Sequence, residues 1–192
     1  MFEDYSERLF SHFVAGRWRV PFAMEPLILR QPGGHVLGQI VPANPQDIER
    51  ACQVLRAVDA DACARAADVV AGSLDTLVAA HQYQTGQQIA LPEIRAFAEA
   101  IKGRNRAGRR VLLSVPDVSD VGVTPGASLG AALGAGLRGG VIWCPPPEMA
   151  FFATRFAELM QQADLPPGGF ALLHAQTPGT QAAFRLVADR FG

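Results

Sequence analysis

Val141-Ile142-Trp143-Cys144-Pro145-Pro146-Pro147-Glu148 is a short apolar run that meets three consecutive prolines and then opens a long amphipathic segment. Four apolar residues stopped by proline read as a buried strand, and residues 148 to 163 carry apolar side chains at helical spacing. The pattern repeats downstream, with a strand over 170–174 and a helix over 180–190. Strand and helix in alternation predict an α/β domain with a small parallel sheet and right-handed crossovers. In such a sheet a ligand lies beyond the carboxyl ends of the strands, so the residues after Cys144 carry the functional question. Proline has neither a main-chain N–H nor a side-chain donor. Pro145, Pro146 and Pro147 therefore equip this turn poorly for gripping a phosphate or a ribose.

Upstream, residues 127–137 read as a helix whose Gly130 and Gly134, four apart, suit close packing on a sheet. Together with the strand they imitate a membrane span. Arg138 and Gly139-Gly140 interrupt it, and the apolar run is well short of the roughly 20 residues a bilayer needs. The glycines do not follow Gly-x-Gly-x-x-Gly spacing after a strand, so packing explains them better than a dinucleotide fingerprint. The next strand leaves an edge beyond 170–174 that needs a partner strand or a cover.

The N-terminal part has a different grain. Phe13-Val-Ala-Gly-Arg-Trp-Arg-Val20 turns at Ala15-Gly16, and 27–41 turns at Pro32-Gly33-Gly34, so residues 1–43 are expected to form β-hairpins. Residues 44–110 are helical: Asn44 caps a helix with Pro45 in its first turn and Ile48, Ala51, Cys52 and Leu55 on one face. A second helix is expected over 61–84, stopped by Thr85-Gly86, and a third from Pro92-Glu93 to about Arg106. Residues 111–192 form the α/β region, and 1–192 is expected to be a single domain.

Composition narrows the function. At 192 residues, 49% apolar and 18% charged, the chain can bury a substantial core. Seventeen basic and eighteen acidic residues leave a formal charge of −1, which supplies no field for nucleic acid or an anionic membrane. Cys52, Cys63 and Cys144 are odd in number and form no Cys-x-x-Cys pair. They read as buried, reduced thiols of a cytoplasmic protein. The acidic residues 1–8 lack the apolar core of a signal peptide. His12, His35, His81 and His174 are isolated from one another in sequence, so no metal site is expected. Lys102, Arg104, Arg106, Arg109 and Arg110 gather at a helix end without interleaved aromatics, which suits the helix dipole better than a nucleic acid.

The order of these segments resembles the N-terminal half of the aldehyde dehydrogenase superfamily. The likeness rests on Phe13-Val-Ala-Gly-Arg-Trp18, Gly34-His-Val-Leu-Gly-Gln-Ile40, Asp47-Ile-Glu-Arg-Ala51, Gln84-Thr-Gly-Gln87 followed by Glu93-Ile94, and Ala163-Asp-Leu-Pro-Pro-Gly-Gly-Phe170. Each is a loose motif, and their collinear order carries the resemblance. It implies a truncated Rossmann-type fold. It also places the family's glutamate base and cysteine nucleophile outside this sequence.

Departures from the family pattern bear on chemistry. The family's Lys-Pro-Ser-Glu lies along the adenosine ribose of the cofactor; here its lysine is matched by Pro145 and its serine by Pro147. Pro146 and Glu148 remain as vestigial cofactor-binding positions. Glu148 has a bland alternative, because a carboxylate in the first turn of a helix suits the dipole alone. The family's oxyanion asparagine is expected near 120–124, where the sequence reads Asp-Val-Gly-Val-Thr. The resemblance so amended implies a catalytically silent module with no catalytic residues and no cofactor, working in assembly with a protein partner, a catalytic subunit or a second copy. The alternative is an NAD- or NADP-dependent aldehyde dehydrogenase component completed by another chain.

Overall fold

In the computed structural model, residues 9–22, 25–102, 111–114 and 127–174 are described, with 111–114 and 127–128 as main chain. The expected hairpin at Ala15-Gly16 joins β2 (His12–Val14) to β3 (Arg17–Arg19). The second hairpin joins β4 (Leu27–Arg30) to β5 (Val36–Ile40), with β1 (Leu9–Phe10) alongside β5 in a three-stranded sheet of order β1-β5-β4.

Four helices follow. Helix α1 (Pro45–Val54) starts with a reciprocal cap: Asn44 Oδ1 accepts from the Asp47 amide at 3.0 Å, and Asp47 Oδ2 accepts from the Asn44 amide at 3.2 Å. The single helix expected over 61–84 is two. Helix α2 (Ala60–Ala71) stops at Gly72, and α3 (Leu74–Thr85) restarts after Ser73 and ends at Gly86, whose φ of 70° suits glycine. Helix α4 spans Leu91–Lys102. Its expected continuation to Arg106, with the arginines beyond, lies outside the described residues, as do the linker over 115–126 and the helix over 180–190.

The larger sheet has five strands rather than two, in the order β3-β2-β8-β7-β6. Strands β6 (Val111–Ser114), β7 (Val141–Cys144) and β8 (Phe170–Leu172) run parallel. The edge expected to be open beyond 170–174 is closed by the chain's own hairpin, since β2 pairs antiparallel with β8 at Phe13 and Leu172. Alternation then divides the strands between two cores. Val141, Trp143, Phe170, Leu172 and Phe13 join one with α2 to α4, α5 (Ala127–Gly139) and α6 (Ala150–Gln162). Ile142, Cys144, Ala171, Leu173 and Val14 join the other with Ile48, Ala51 and Cys52 of α1. Burial on both faces is why these strands read as unbroken apolar runs.

The glycine stripe of α5 packs on a helix, not on the sheet. A Cβ at Gly130 would stand 2.2 Å from the Phe97 carbonyl oxygen, and one at Gly134 would stand 2.7 Å from that of Ile101, both on α4. Only glycine lets the two backbones approach so closely. A third core links the smaller sheet to α3 and α6 through Phe10, Leu29, Leu37, Ile40, Ala80 and Phe151. Among the described residues, no helix is long and apolar enough to cross a membrane.

Candidate functional site

The carboxyl ends of β7 and β8 are where the topology would place a ligand. Beyond Cys144, Pro145 is buried, Pro146 and Pro147 are half-buried, and Glu148 is exposed. The helix expected from Glu148 is preceded by a 3-10 turn over Pro147–Met149. Within that turn the Met149 amide donates to the Pro146 oxygen at 2.9 Å, and the Ala150 amide bonds the Pro147 oxygen. Gln84, a buried residue of α3, closes the arrangement. Its Nε2 donates to the Pro147 oxygen at 2.6 Å and its Oε1 accepts from the Phe151 amide at 2.9 Å.

Amides at the start of a helix are the usual grip on a phosphate. Here positions 145–147 have none, those of Met149 and Ala150 bond within the turn, and that of Phe151 is held by Gln84, which leaves the Glu148 amide. The carboxylate of Glu148 adds a charge that repels an anion. This strand end offers a phosphate little main-chain grip, while the exposed Glu148 carboxylate is an acceptor suited to a ribose hydroxyl. Pro146 and Glu148 are brought together as neighbours in one turn. The stretch 120–124, expected to replace an oxyanion asparagine, lies outside the described residues.

A buried polar network at the end of β8 escaped the sequence. His12, Asp47 and His174 are fully buried, and Thr154 nearly so. The His174 amide donates to His12 Nδ1 at 3.1 Å, and His12 Nε2 lies 3.6 Å from Asp47 Oδ2. Asp47 also receives Arg50 Nη2 at 3.0 Å and the Phe22 amide at 3.3 Å. Thr154 Oγ1 and His174 Nε2 stand 3.4 Å apart. Burial works to raise the Asp47 pKa, but His12 and the amides of Asn44 and Phe22 outweigh it and hold the carboxyl below its usual value. Burial, with His12 beside it, lowers His174 to about 3 and keeps its ring neutral. The three groups come from β2, α1 and the residue run after β8, so no local spacing announced them. Gln84 did have a signal, since it opens the Gln-Thr-Gly-Gln motif.

His12, Asp47 and His174 at its centre are shut off from solvent, and only the Arg50 and Phe22 end of the network is exposed. Among the described residues, no group of three His, Cys, Asp or Glu could hold a metal ion. Cys52 and Cys144 are buried as expected, and burial pushes the Cys144 thiol well above its usual range. Cys63 is only half-buried, because it borders a cleft of about 530 Å³ between α2, α4 and α5, alongside Asp68, Lys102 and Arg138. Lys102 pairs there with Asp68 at 3.2 Å.

No protein-family profile matches the sequence, and no curated protein sequence does. Solved structures do match. The indole-3-acetaldehyde dehydrogenase AldA of Pseudomonas syringae, solved with NAD+ and IAA, superposes with a TM-score of 0.71 at 14% identity, over 92% of this chain and 43% of that one. The fold is that of part of an aldehyde dehydrogenase. HpcC from Thermus thermophilus matches with a TM-score of 0.67 at 19% identity, over 92% of this chain and 41% of that one. A variant of aldehyde dehydrogenase AldC from Pseudomonas syringae, solved with NAD+ and octanal, matches at 0.66 and 17%, over 90% and 42%. The chain thus spans about two fifths of the length of these aldehyde dehydrogenases.

Proposed function

We propose that the chain is a catalytically silent aldehyde-dehydrogenase-like module that acts in assembly with a protein partner, either a catalytic subunit or a second copy. The supporting observation is the proline turn closed by Gln84: all but one of the main-chain donors from 145 to 151 are missing or used within the fold. The exposed apolar side chains Leu9, Val20, Phe22, Leu27 and Ile28, all in the N-terminal β region, suit a surface that meets another protein. Free thiols suit the cytoplasm.

Titration calorimetry with NAD and NADP at millimolar concentration should give no heat, and pull-down of the tagged chain from its own cells should bring down a partner. Micromolar nucleotide binding, or a monomer with nothing co-purifying, would defeat the proposal.

A second reading draws on the NAD+ held by the AldA and AldC structures. In it the chain is one part of an NAD- or NADP-dependent aldehyde dehydrogenase whose remaining residues come from another chain. Aldehyde-dependent NADH formation on mixing the chain with its co-purifying protein would favour this reading, and no turnover in the mixture would end it.

A further inference from the structure

Docking of β2 on β8 moves the free edge of the larger sheet to β3. Ala15 and Gly16 have φ of 55° and 73°, the two-residue turn that closes Val14 and Arg17 as a hydrogen-bonded pair. Antiparallel ladders alternate, so the amides of Arg17 and Arg19 face β2, while that of Trp18 faces away from the sheet. Among the described residues, no strand pairs with that side.

The two faces of this edge differ in chemistry. Arg17 and Arg19, registered opposite Val14 and His12, project on the α1 side. Both are exposed, and neither has an acidic partner among the described residues. Trp18, opposite Phe13, projects on the other face, half-buried with its ring centroid 5.1 Å from that of Phe13. On that face a cleft of about 220 Å³ is lined by Phe13, Gly16, Met160, Leu165, Pro167 and Phe170. Val20, the residue after the strand, is 71% exposed.

We infer that β3 is a docking edge for an extended segment of a partner protein in which acidic and apolar residues alternate, added as a sixth strand. The inference rests on the assembly reading above and gives the partner its chemistry. Outward main-chain groups supply sequence-independent hydrogen bonds, and the alternating side chains supply the choice. Acidic residues fall beside Arg17 and Arg19, and apolar ones fall beside Trp18 and the cleft. A second β3 is disfavoured, because like charges would stand opposite one another. Nucleic acid is disfavoured too, since it would leave the outward main-chain groups unused and meets no net positive field.

Fluorescence anisotropy with a labelled peptide of about ten residues alternating glutamate with valine tests this, against a lysine–valine peptide and a thymidine oligonucleotide of similar length. The glutamate peptide should bind roughly tenfold or more tightly than either control, and less tightly as salt rises. Val20→Pro removes the amide of the exposed residue that follows β3, where proline is tolerated and an added strand would extend, and should weaken binding roughly tenfold. Arg17→Glu with Arg19→Glu should reverse the preference in favour of the lysine peptide. Unchanged thermal melting of both variants keeps the comparison sound. Equal binding of the two peptides, indifference to Val20→Pro, or preference for the oligonucleotide overturns the inference. If a co-purifying partner survives both variants, assembly stands and docking at β3 falls. If the peptides behave as expected while no protein co-purifies, the edge stands and assembly falls.

Discussion

The main-chain amide of His174 donates to Nδ1 of His12 at 3.1 Å, joining positions 162 apart in sequence. Because Nδ1 accepts, the ring proton of neutral His12 sits on Nε2, which faces Asp47. Asp47 in turn holds Arg50, the Phe22 amide and its own helix cap. Asp47→Asn removes the charge that these donors surround, and it should destabilise the fold by about 3 kcal/mol, read as a shift in the urea midpoint. A shift under about 0.5 kcal/mol would show that the network is ornamental to stability.

Acid should weaken the protein in two stages. Burial lowers His174 from 6.5 to about 3, so the unfolded chain takes up this proton first as pH falls. Stability is then greatest above pH 6.5 and declines toward pH 3, by up to about 1.4 kcal/mol per pH unit. His81, lowered by burial, acts in the same direction. Asp47 has a folded pKa below the ordinary 3.8, so its contribution is present above 3.8 and is lost as pH falls through the lower folded value. Urea midpoints measured across the acid range should show the slope, and His174→Gln should flatten its first stage. A stability indifferent to pH over that stage refutes the assignment.

Gly130→Ala sets a methyl against the Phe97 carbonyl oxygen and must push α5 off α4. A loss of about 1–3 kcal/mol is expected. Gly33→Ala, where nothing lies within 4 Å, serves as the control and should change stability little. Equal melting temperatures for the two variants would mean that the helices are not in such close contact.

Restoring the family-like residues at the strand end should not restore a site. Pro145→Lys with Pro147→Ser places an ammonium at a buried position while Gln84 still holds the Phe151 amide. The double variant should melt earlier and still give no calorimetric heat with NAD. Measurable NAD binding by it would show that the two prolines alone had closed the site.

Thiol reactivity should follow burial. Cys63 should react with a disulfide reagent in the native protein, while Cys52 and Cys144 react only on unfolding. Three fast-reacting thiols would contradict the packing of α1 on the sheet.

Local chemistry made much of the fold legible. Ala15-Gly16 and Pro32-Gly33-Gly34 announced their hairpins, and Asn44-Pro45 with Asp47 announced α1, because each signal lies within a few residues of the structure it forms. The break between α2 and α3 was hidden because the apolar period continues across Gly72-Ser73. Gly130 and Gly134 revealed close packing but not its object, since a stripe of small residues fits a helix as well as a sheet. The pairing of β2 with β8, the role of Gln84 and the meeting of His12, Asp47 and His174 depend on distant segments. Such contacts leave no periodicity to read.

The seat of β2 beside β8 also sets an order of events during synthesis. The ribosome releases Phe13 long before its neighbour Leu172. Until then this strand has no partner on that side, and its apolar side chains wait without their core. Closure of the larger sheet is therefore a late step of high sequence separation, slow to nucleate and exposed to capture while it is pending. Strand β2 finds its place only when its distant neighbour has been made.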